Sequence, residues 1–167
     1  MIVLNEPTTP RAKTIAICRP PAIGALHCQP LIRTPAIIPL HYFETRSVPC
    51  LGEPCVLCAA KIPTEQRLFM LVRRMELRRI EVCELPRSHF ETLIEIREKC
   101  FGLQNSILVM TRPRGLRCSP IDIRWVRVDE LVDPRPIYDG WLDRLEMTWS
   151  KNVEYAVQTI AAKISSS

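Results

Sequence analysis

The chain has 167 residues and a formal net charge of +5, from 23 lysines and arginines against 18 acidic residues. That length is enough for one domain with a sizeable core. No run of 18 apolar residues occurs, so no transmembrane helix is expected. The N-terminus lacks the apolar run of a secretory signal, so we expect a cytoplasmic protein of bacterial or phage type with no membrane partner. The positive charge is a mild bias toward polyanions.

The first quarter of the chain is rich in proline and predicts extended structure. Residues 1–22 contain four prolines and little hydrophobic periodicity, so we expect an extended or disordered N-terminal arm. Residues 23–33 and 36–44 read as two extended segments. The prolines in and between them favour edge or irregular strands, because each proline removes a donor from the hydrogen-bond ladder.

One histidine and three cysteines lie within residues 41–58, which read HYFETRSVPCLGEPCVLC. These residues are His41, Cys50, Cys55 and Cys58, separated by eight, four and two residues. A structural zinc site takes four such nitrogen and sulfur ligands in a tetrahedron, and a Cys-x-x-Cys turn places two thiolates on one metal. The segment therefore predicts one structural Zn²⁺ whose shell is closed, with no open position for water.

Three other interpretations of these cysteines remain open at this point. Reduced cysteine is among the most buried residue types, although buried thiols do not normally cluster in a loop rich in proline and glycine. Eight cysteines fit a disulfide framework, but without a secretory signal this spacing favours metal. A redox Cys-x-x-Cys is expected at the strand-to-helix turn of a βαβ unit, and no such unit precedes this one.

The middle of the chain predicts a long strand region and then a helix. Residues 67–83 are first continuously apolar and then alternating, which indicates one long bent strand or two strands with a tight link at Arg73 and Arg74. Residues 87–100 are predicted as a helix that begins after a proline, with Gly102 just past its end. The apolar stripe of this helix consists of Phe90, Leu93, Ile94 and Phe101.

Two further strands are predicted at residues 106–111 and 121–128. The loop between them carries three arginines, and the second strand carries two more. This concentration of cations predicts a patch that contacts phosphates, with an ordinary solvated loop tip as the alternative. The patch consists of Arg112, Arg114, Arg117, Arg124 and Arg127.

The last part of the chain predicts a connector and a long helix. Residues 129–140 are rich in proline and aspartate and read as a linker. Residues 141–164 have an unbroken apolar stripe at helical spacing and predict an amphipathic helix. Two interpretations of this stripe remain open: packing on its own domain, or docking to a second copy or another protein.

The predicted order β-β-β-α-β-β is that of the OB-fold, a five-stranded barrel whose face and loops bind single strands or oligosaccharides. A mostly β, α+β fold is therefore expected, with an OB-like barrel at residues 23–128 and the zinc loop between strands 2 and 3. With its order of metal ligands, His, Cys and Cys-x-x-Cys, the chain resembles the core of the single-stranded-DNA-binding (helix-destabilising) proteins of T-even phages. The resemblance covers roughly residues 36–128 and implies that His41 and the three cysteines bind the zinc.

The resemblance implies non-catalytic binding of single-stranded nucleic acid, DNA or RNA, in replication, recombination or a mobile element. Arginines would neutralise phosphates, and aromatic rings would stack on bases. Beside the loop patch, the expected contact residues are Arg73, Arg74, Arg78, Arg79, Phe69 and Trp125. Tyr42 and Phe43 are further candidates for stacking on bases. The alternative is a zinc-stapled adaptor subunit of a larger complex. An enzyme is not expected, because no paired carboxylates, glycine-rich phosphate loop or nucleophile–base pair stands out.

Overall fold

A computed structural model describes residues 14–50, 52–128 and 140–166. Most of the predicted arm (residues 1–13) and nearly all of the predicted linker (residues 129–139) lie outside the described residues. The strands are β1 (Ile17–Cys18), β2 (Ala25–Pro30), β3 (Ala36–Phe43), β4 (Arg46–Pro49), β5 (Thr64–Arg74), β6 (Arg79–Pro86), β7 (Ser106–Thr111) and β8 (Asp122–Arg127). The helices are α1 (Val56–Ala59), α2 (Phe90–Cys100) and α3 (Trp141–Ser165).

The eight strands form one mixed sheet organised around the long strand β5. On one side β5 pairs with β6, and β6 pairs in parallel with β1. On the other side the first half of β5 pairs with β3 and its last residues pair with β2. The sheet continues from β2 to β7 and β8, and β4 pairs with the outer edge of β3.

The prediction of a closed barrel is wrong. Within the described residues β6 and β8 do not pair, so the sheet stays open, with β1 and β8 as edges. The physical reason is that β1 occupies the free edge of β6, with Ile17 opposite Val82 and Cys18 opposite Cys83. The coarser prediction of a β-rich α+β fold with a long C-terminal helix is confirmed.

Strand β5 is buried on both faces, which explains its continuous apolar run. Successive strand residues point to opposite faces. Leu68, Met70 and Val72 enter a core that is covered by α2, whereas Phe69 and Leu71 enter a second core covered by α3. The predicted strand region of residues 67–83 is therefore two strands, linked by the turn at residues 75–78, where Arg78 has a positive φ of 50°.

Part of the predicted N-terminal arm belongs to the fold. From residue 14 onward the chain is described, and Ile15 is buried in the second core. Its backbone N–H donates to Thr148 Oγ1 at 3.1 Å, and Thr148 Oγ1 donates to the Ile15 carbonyl at 3.0 Å. The expected arm thus extends too far along the sequence, because residues 14–18 pack against both β6 and α3.

Helix α3 packs on its own domain from Leu145 to Ile160, whereas Ile164 near its end is 73% exposed. Its buried residues are Leu145, Trp149, Ala156 and Ile160. The first two lie in the core on the sheet, where the Trp149 ring meets Phe69 edge-on at 5.2 Å between centroids. The last two lie in a third core beside α1. Among the described residues, no helix is long and apolar enough to cross a membrane.

Candidate metal centre and candidate binding surfaces

Three neighbouring elements bring the four predicted ligands together. His41 lies on β3 between β4 and β5, with Val48 opposite it on one side and Thr64 on the other. Cys50 directly follows β4, and the β3–β4 hairpin returns it to β3, where its N–H donates to the carbonyl of Pro39 at 2.9 Å, two residues from His41. Cys55 precedes α1 and Cys58 lies within that single helical turn. The predicted clustering is therefore confirmed, with all ligand atoms within 4.8 Å of one another.

The distances within this group fit one tetrahedral metal. Cys50 Sγ lies 3.6 Å from Cys58 Sγ, and His41 Nε2 lies 3.4 Å from Cys55 Sγ and 3.5 Å from Cys58 Sγ. Zinc bonds of about 2.3 Å to sulfur and 2.0–2.1 Å to nitrogen give tetrahedral edges of roughly 3.8 Å for S–S and 3.6 Å for S–N. A disulfide would need about 2.05 Å. The group therefore fits a structural metal such as zinc.

The orientation of the buried His41 ring also fits a metal ligand. Its Nδ1 lies 2.9 Å from the carbonyl oxygen of Ile62 and 3.2 Å from that of Pro63. An Nδ1–H donated to these carbonyls leaves Nε2 as the atom with a lone pair, facing the sulfurs. Metal-binding histidines typically hold their second nitrogen in this way, which fixes the tautomer and the ring.

The pKa values of two cysteines in the cluster are shifted in opposite directions. Burial acts to raise the pKa of Cys55, but N–H donors from Cys58 and Leu57 and contacts with the Cys58 thiol and the His41 ring lower it to about 7. The pKa of Cys58 is raised to about 11, first through its contact with the Cys50 thiol. One thiolate is thus available near neutral pH, and a bound cation would displace the remaining protons.

The segment that carries the ligands packs against the second half of α3. Leu57 of α1 is buried together with Phe43, Val48, Ala156 and Ile160. Polar contacts tie the same surfaces together: Asn152 Nδ2 donates to the Ser47 carbonyl at 3.0 Å and the Tyr155 hydroxyl donates to Glu44 at 2.6 Å. Metal geometry and the packing of α3 are therefore coupled through this third core.

The state of the cysteines bears on two other interpretations, a disulfide framework and buried reduced thiols. All eight cysteines are free thiols, so the disulfide framework is absent from the structure. Cys18, Cys28, Cys83 and Cys100 are buried in the core under α2. Because they lie among apolar side chains, these residues behave as small apolar side chains themselves, and burial raises the pKa of the Cys28 thiol. The buried-thiol interpretation thus holds for this set and not for the cluster at His41.

The arginines that were predicted to contact nucleic acid lie at three places. Arg73, Arg74, Arg78 and Arg79 surround the β5–β6 turn, where Arg74 pairs with Glu81 at 3.6 Å. Arg112, Arg114 and Arg117 lie in the β7–β8 loop, where Arg112 donates to the Pro20 carbonyl at 3.2 Å and to the Ser119 carbonyl. Arg124 and Arg127 lie on opposite faces of β8, because they are three residues apart in a strand.

Of the four predicted stacking candidates, Tyr42 is 45% exposed and Phe43 is buried, and the two leading ones, Phe69 and Trp125, are poorly placed for a base. Phe69 is fully buried beneath Trp149, so its ring is inaccessible in the folded protein. Trp125 is half-buried, because its side of β8 packs against the core under α2. The alternation of apolar and polar residues could not reveal that Phe69 is buried, since β5 has apolar residues on both faces.

The sequence interpretation missed an exposed aromatic residue at the end of α2. Phe101 was placed on the buried stripe of the helix, yet 72% of it is exposed. Its left-handed conformation, with φ of 57°, ends the helix and turns the side chain away from the core. The Arg127 guanidinium lies 5.4 Å from its ring centroid, and Arg33 and Arg97 line the adjoining cavity of about 410 Å³. We call this the Phe101 platform: Phe101, Arg33, Arg97 and Arg127.

Comparisons of the chain with protein-family models, with curated proteins and with solved structures found no match. The comparisons therefore identify no family for the chain. What the structure establishes is a β-rich chain with a Cys₃His cluster that fits a metal, together with a packed C-terminal helix.

Proposed function

We propose that the protein binds single-stranded nucleic acid without catalysing a reaction, and that one structural Zn²⁺ held by His41, Cys50, Cys55 and Cys58 stabilises the domain. The zinc shell is closed by four protein ligands, so the metal serves folding and leaves no position for a substrate. The observation that carries the binding proposal is the Phe101 platform.

The platform combines the two features that single-strand binding needs. An exposed aromatic ring stacks on any unpaired base, and nearby arginines neutralise the phosphates on either side. Among the described residues, the only acidic one lining the adjoining cavity is Glu98, whose carboxylate is 3.9 Å from Arg97, so the cavity is cationic on balance. A duplex hides the faces of its bases, so stacking on Phe101 favours single strands.

The backbone at Phe101 explains why the ring is outside the core. Phe101 ends α2 in the left-handed conformation that is common at helix C-termini, and the N–H of Gly102 donates to the Arg97 carbonyl at 2.8 Å. This cap turns the Phe101 side chain toward solvent, where 72% of the residue is exposed.

The face of β5 and β6 that carries Phe69, Leu71 and Val82 is closed to a nucleic-acid strand. Here α3 covers that face through Leu145 and Trp149, which leaves the end of α2 as the better site.

Phe101→Ala is expected to weaken binding of a labelled single-stranded oligonucleotide by about 1–3 kcal/mol, or roughly five- to 150-fold in Kd. Fluorescence polarisation with single-stranded and duplex DNA at two salt concentrations measures this effect. Phe101→Trp should preserve binding because it keeps a π face. Ile23→Ala, at another exposed apolar residue, is the matched control. Wild-type affinity in Phe101→Ala, or equal affinity of the wild type for both DNA forms, contradicts the proposal.

A second candidate function is self-association through the end of α3, since an apolar groove of about 720 Å³ separates α1 from this end. Val157 and Ile164 line the groove and are 42% and 73% exposed. A two-fold dimer brings the same patch of both copies together. In each copy, the end of α3 lines the groove and also exposes apolar side chains to solvent. The end of α3 from a second copy is therefore the occupant that we propose for the groove.

Ile164→Glu is expected to shift the protein from dimer to monomer if this groove is the interface, because the substitution places a charge in an apolar contact. Sedimentation velocity over a range of concentrations measures the change. Leu142→Glu adds the same charge to an exposed apolar residue at the other end of α3 and should leave the association state unchanged. A wild-type protein that stays monomeric at high micromolar concentration excludes this second function.

A further inference from the structure

A second cationic cavity lies between the start of α2 and the β7–β8 loop. Its volume is about 400 Å³, and it is lined by residues of β5, of the turn before α2 and of the loop. The polar side chains that line it are those of Arg67, Ser88, His89, Arg112, Arg117 and Ser119. No acidic residue is among its lining residues in the described part of the chain.

Two of the cations are held in place by other groups. Arg67 is largely buried and donates to Glu84 at 3.0 Å and to Glu65 at 3.1 Å. Arg112 donates to two backbone carbonyls, those of Pro20 and Ser119. A guanidinium fixed in this way loses little freedom when it binds an anion, so the cavity is preorganised.

The charge of the cavity is positive after these pairs are counted. Glu84 and Glu65 offset Arg67, and Arg19 also donates to Glu84, at 2.7 Å. The two partners of Arg112 are neutral carbonyls, so they hold its guanidinium without cancelling its charge. The pKa of His89 is lowered by burial and then by Arg112 and Arg67, which is the response of an imidazole to a positive surrounding.

We propose that this cavity binds a phosphate group. Arginine presents planar, paired N–H donors that match phosphate oxygens, and the Ser88 hydroxyl and the imidazole of His89 add donors from other directions. The Ser119 hydroxyl donates instead to the Leu116 carbonyl at 2.7 Å. A tetrahedral phosphate has enough acceptor oxygens to use donors that converge from three elements. The site lies apart from the Phe101 platform, and the inference rests on the proposed function only in that a nucleic-acid strand is one source of the phosphate.

Three probes distinguish the possible sources of the bound phosphate group. Inorganic phosphate tests the cavity alone, and a 5′-phosphorylated oligonucleotide compared with its 5′-hydroxyl form tests a terminal phosphate. An unphosphorylated strand that competes with inorganic phosphate would identify an internal phosphodiester as the ligand. Isothermal titration calorimetry with the full chain measures all three, and thermal unfolding confirms that each variant is folded.

Arg117→Ala is expected to lower the affinity for the phosphate-bearing probe by about tenfold, the effect of one lost charge-assisted hydrogen bond. His89→Gln should also weaken binding. Arg114→Ala removes an equal charge from the same loop outside the cavity lining and should change affinity less than twofold. Equal losses in Arg117→Ala and Arg114→Ala, or a wild type that binds none of the probes, would overturn the site.

The two proposals fail separately. If inorganic phosphate binds the wild type and not Arg117→Ala while no oligonucleotide binds, the phosphate site stands and single-strand binding is wrong. If oligonucleotide binding depends on Phe101 and is indifferent to Arg117 and His89, while inorganic phosphate does not bind the wild type, single-strand binding stands and this inference is wrong.

Discussion

Cys55→Ser is expected to remove the metal and to lower the melting temperature by about 10 °C or more. Loss of a metal ligand is among the few single changes that cost more than about 4 kcal/mol, and in a chain of this size each kcal/mol shifts Tm by roughly 2–4 °C. The effect is large because metal binding and folding are coupled. Without the metal, the hairpin and α1 lose the constraint that seats Leu57 against α3.

Elemental analysis and thermal unfolding of freshly purified, reduced protein test this expectation together. The wild type should contain about one zinc per chain, and a chelator should lower its Tm toward that of Cys55→Ser. Cys118→Ser is the matched control, because Cys118 is an exposed thiol outside the cluster. A metal-free wild type, or equal melting temperatures for the two variants, would show that the cluster does not hold a structural metal.

Trp149→Ala is expected to destabilise the protein by about 3–5 kcal/mol, the usual cost of truncating a buried aromatic residue to alanine. Trp149 is almost fully buried and its ring packs edge-on against Phe69 at 5.2 Å between centroids. Its removal leaves a cavity between β5 and α3 in the middle of the second core. Chemical denaturation with urea measures the change in the free energy of unfolding.

The same helix supplies the control for this change. Met147 lies two residues earlier and is 42% exposed, so Met147→Ala should stay within about 0.5 kcal/mol of wild type. A chain truncated before residue 139 should lose far more stability than either substitution, because both the second and the third core lose a wall. Wild-type stability in Trp149→Ala would mean that α3 is a detachable docking helix.

The metal ligands were predictable because their arrangement is local. All four lie within residues 41–58, and a hairpin followed by one helical turn suffices to bring them together. The groups that hold the cluster in place were not predictable in this way. The carbonyl of Ile62 that accepts from His41 and the residues of α3 that cover Leu57 come from other parts of the chain.

Most secondary structure was likewise readable from local pattern. The strands β2, β3, β7 and β8 and the helices α2 and α3 lie close to their predicted ranges, since each has a hydrophobic period or clear boundary residues. The missed elements are β1, β4 and α1, of two, four and four residues. Such short elements carry no measurable period. Only β1 depends on a distant partner, β6, whereas β4 pairs in a hairpin with β3 and α1 is closed by its own local hydrogen bonds.

The sequence by itself thus determined the metal ligands, the order of the main strands and helices and the amphipathic character of α3. Only the tertiary structure decided which apolar surfaces are covered. It buried Phe69, left Phe101 exposed and kept the sheet open by placing β1 on the edge of β6. The physical reason is that a period shows which residues share a face, whereas the partner of that face is chosen by contacts between distant segments.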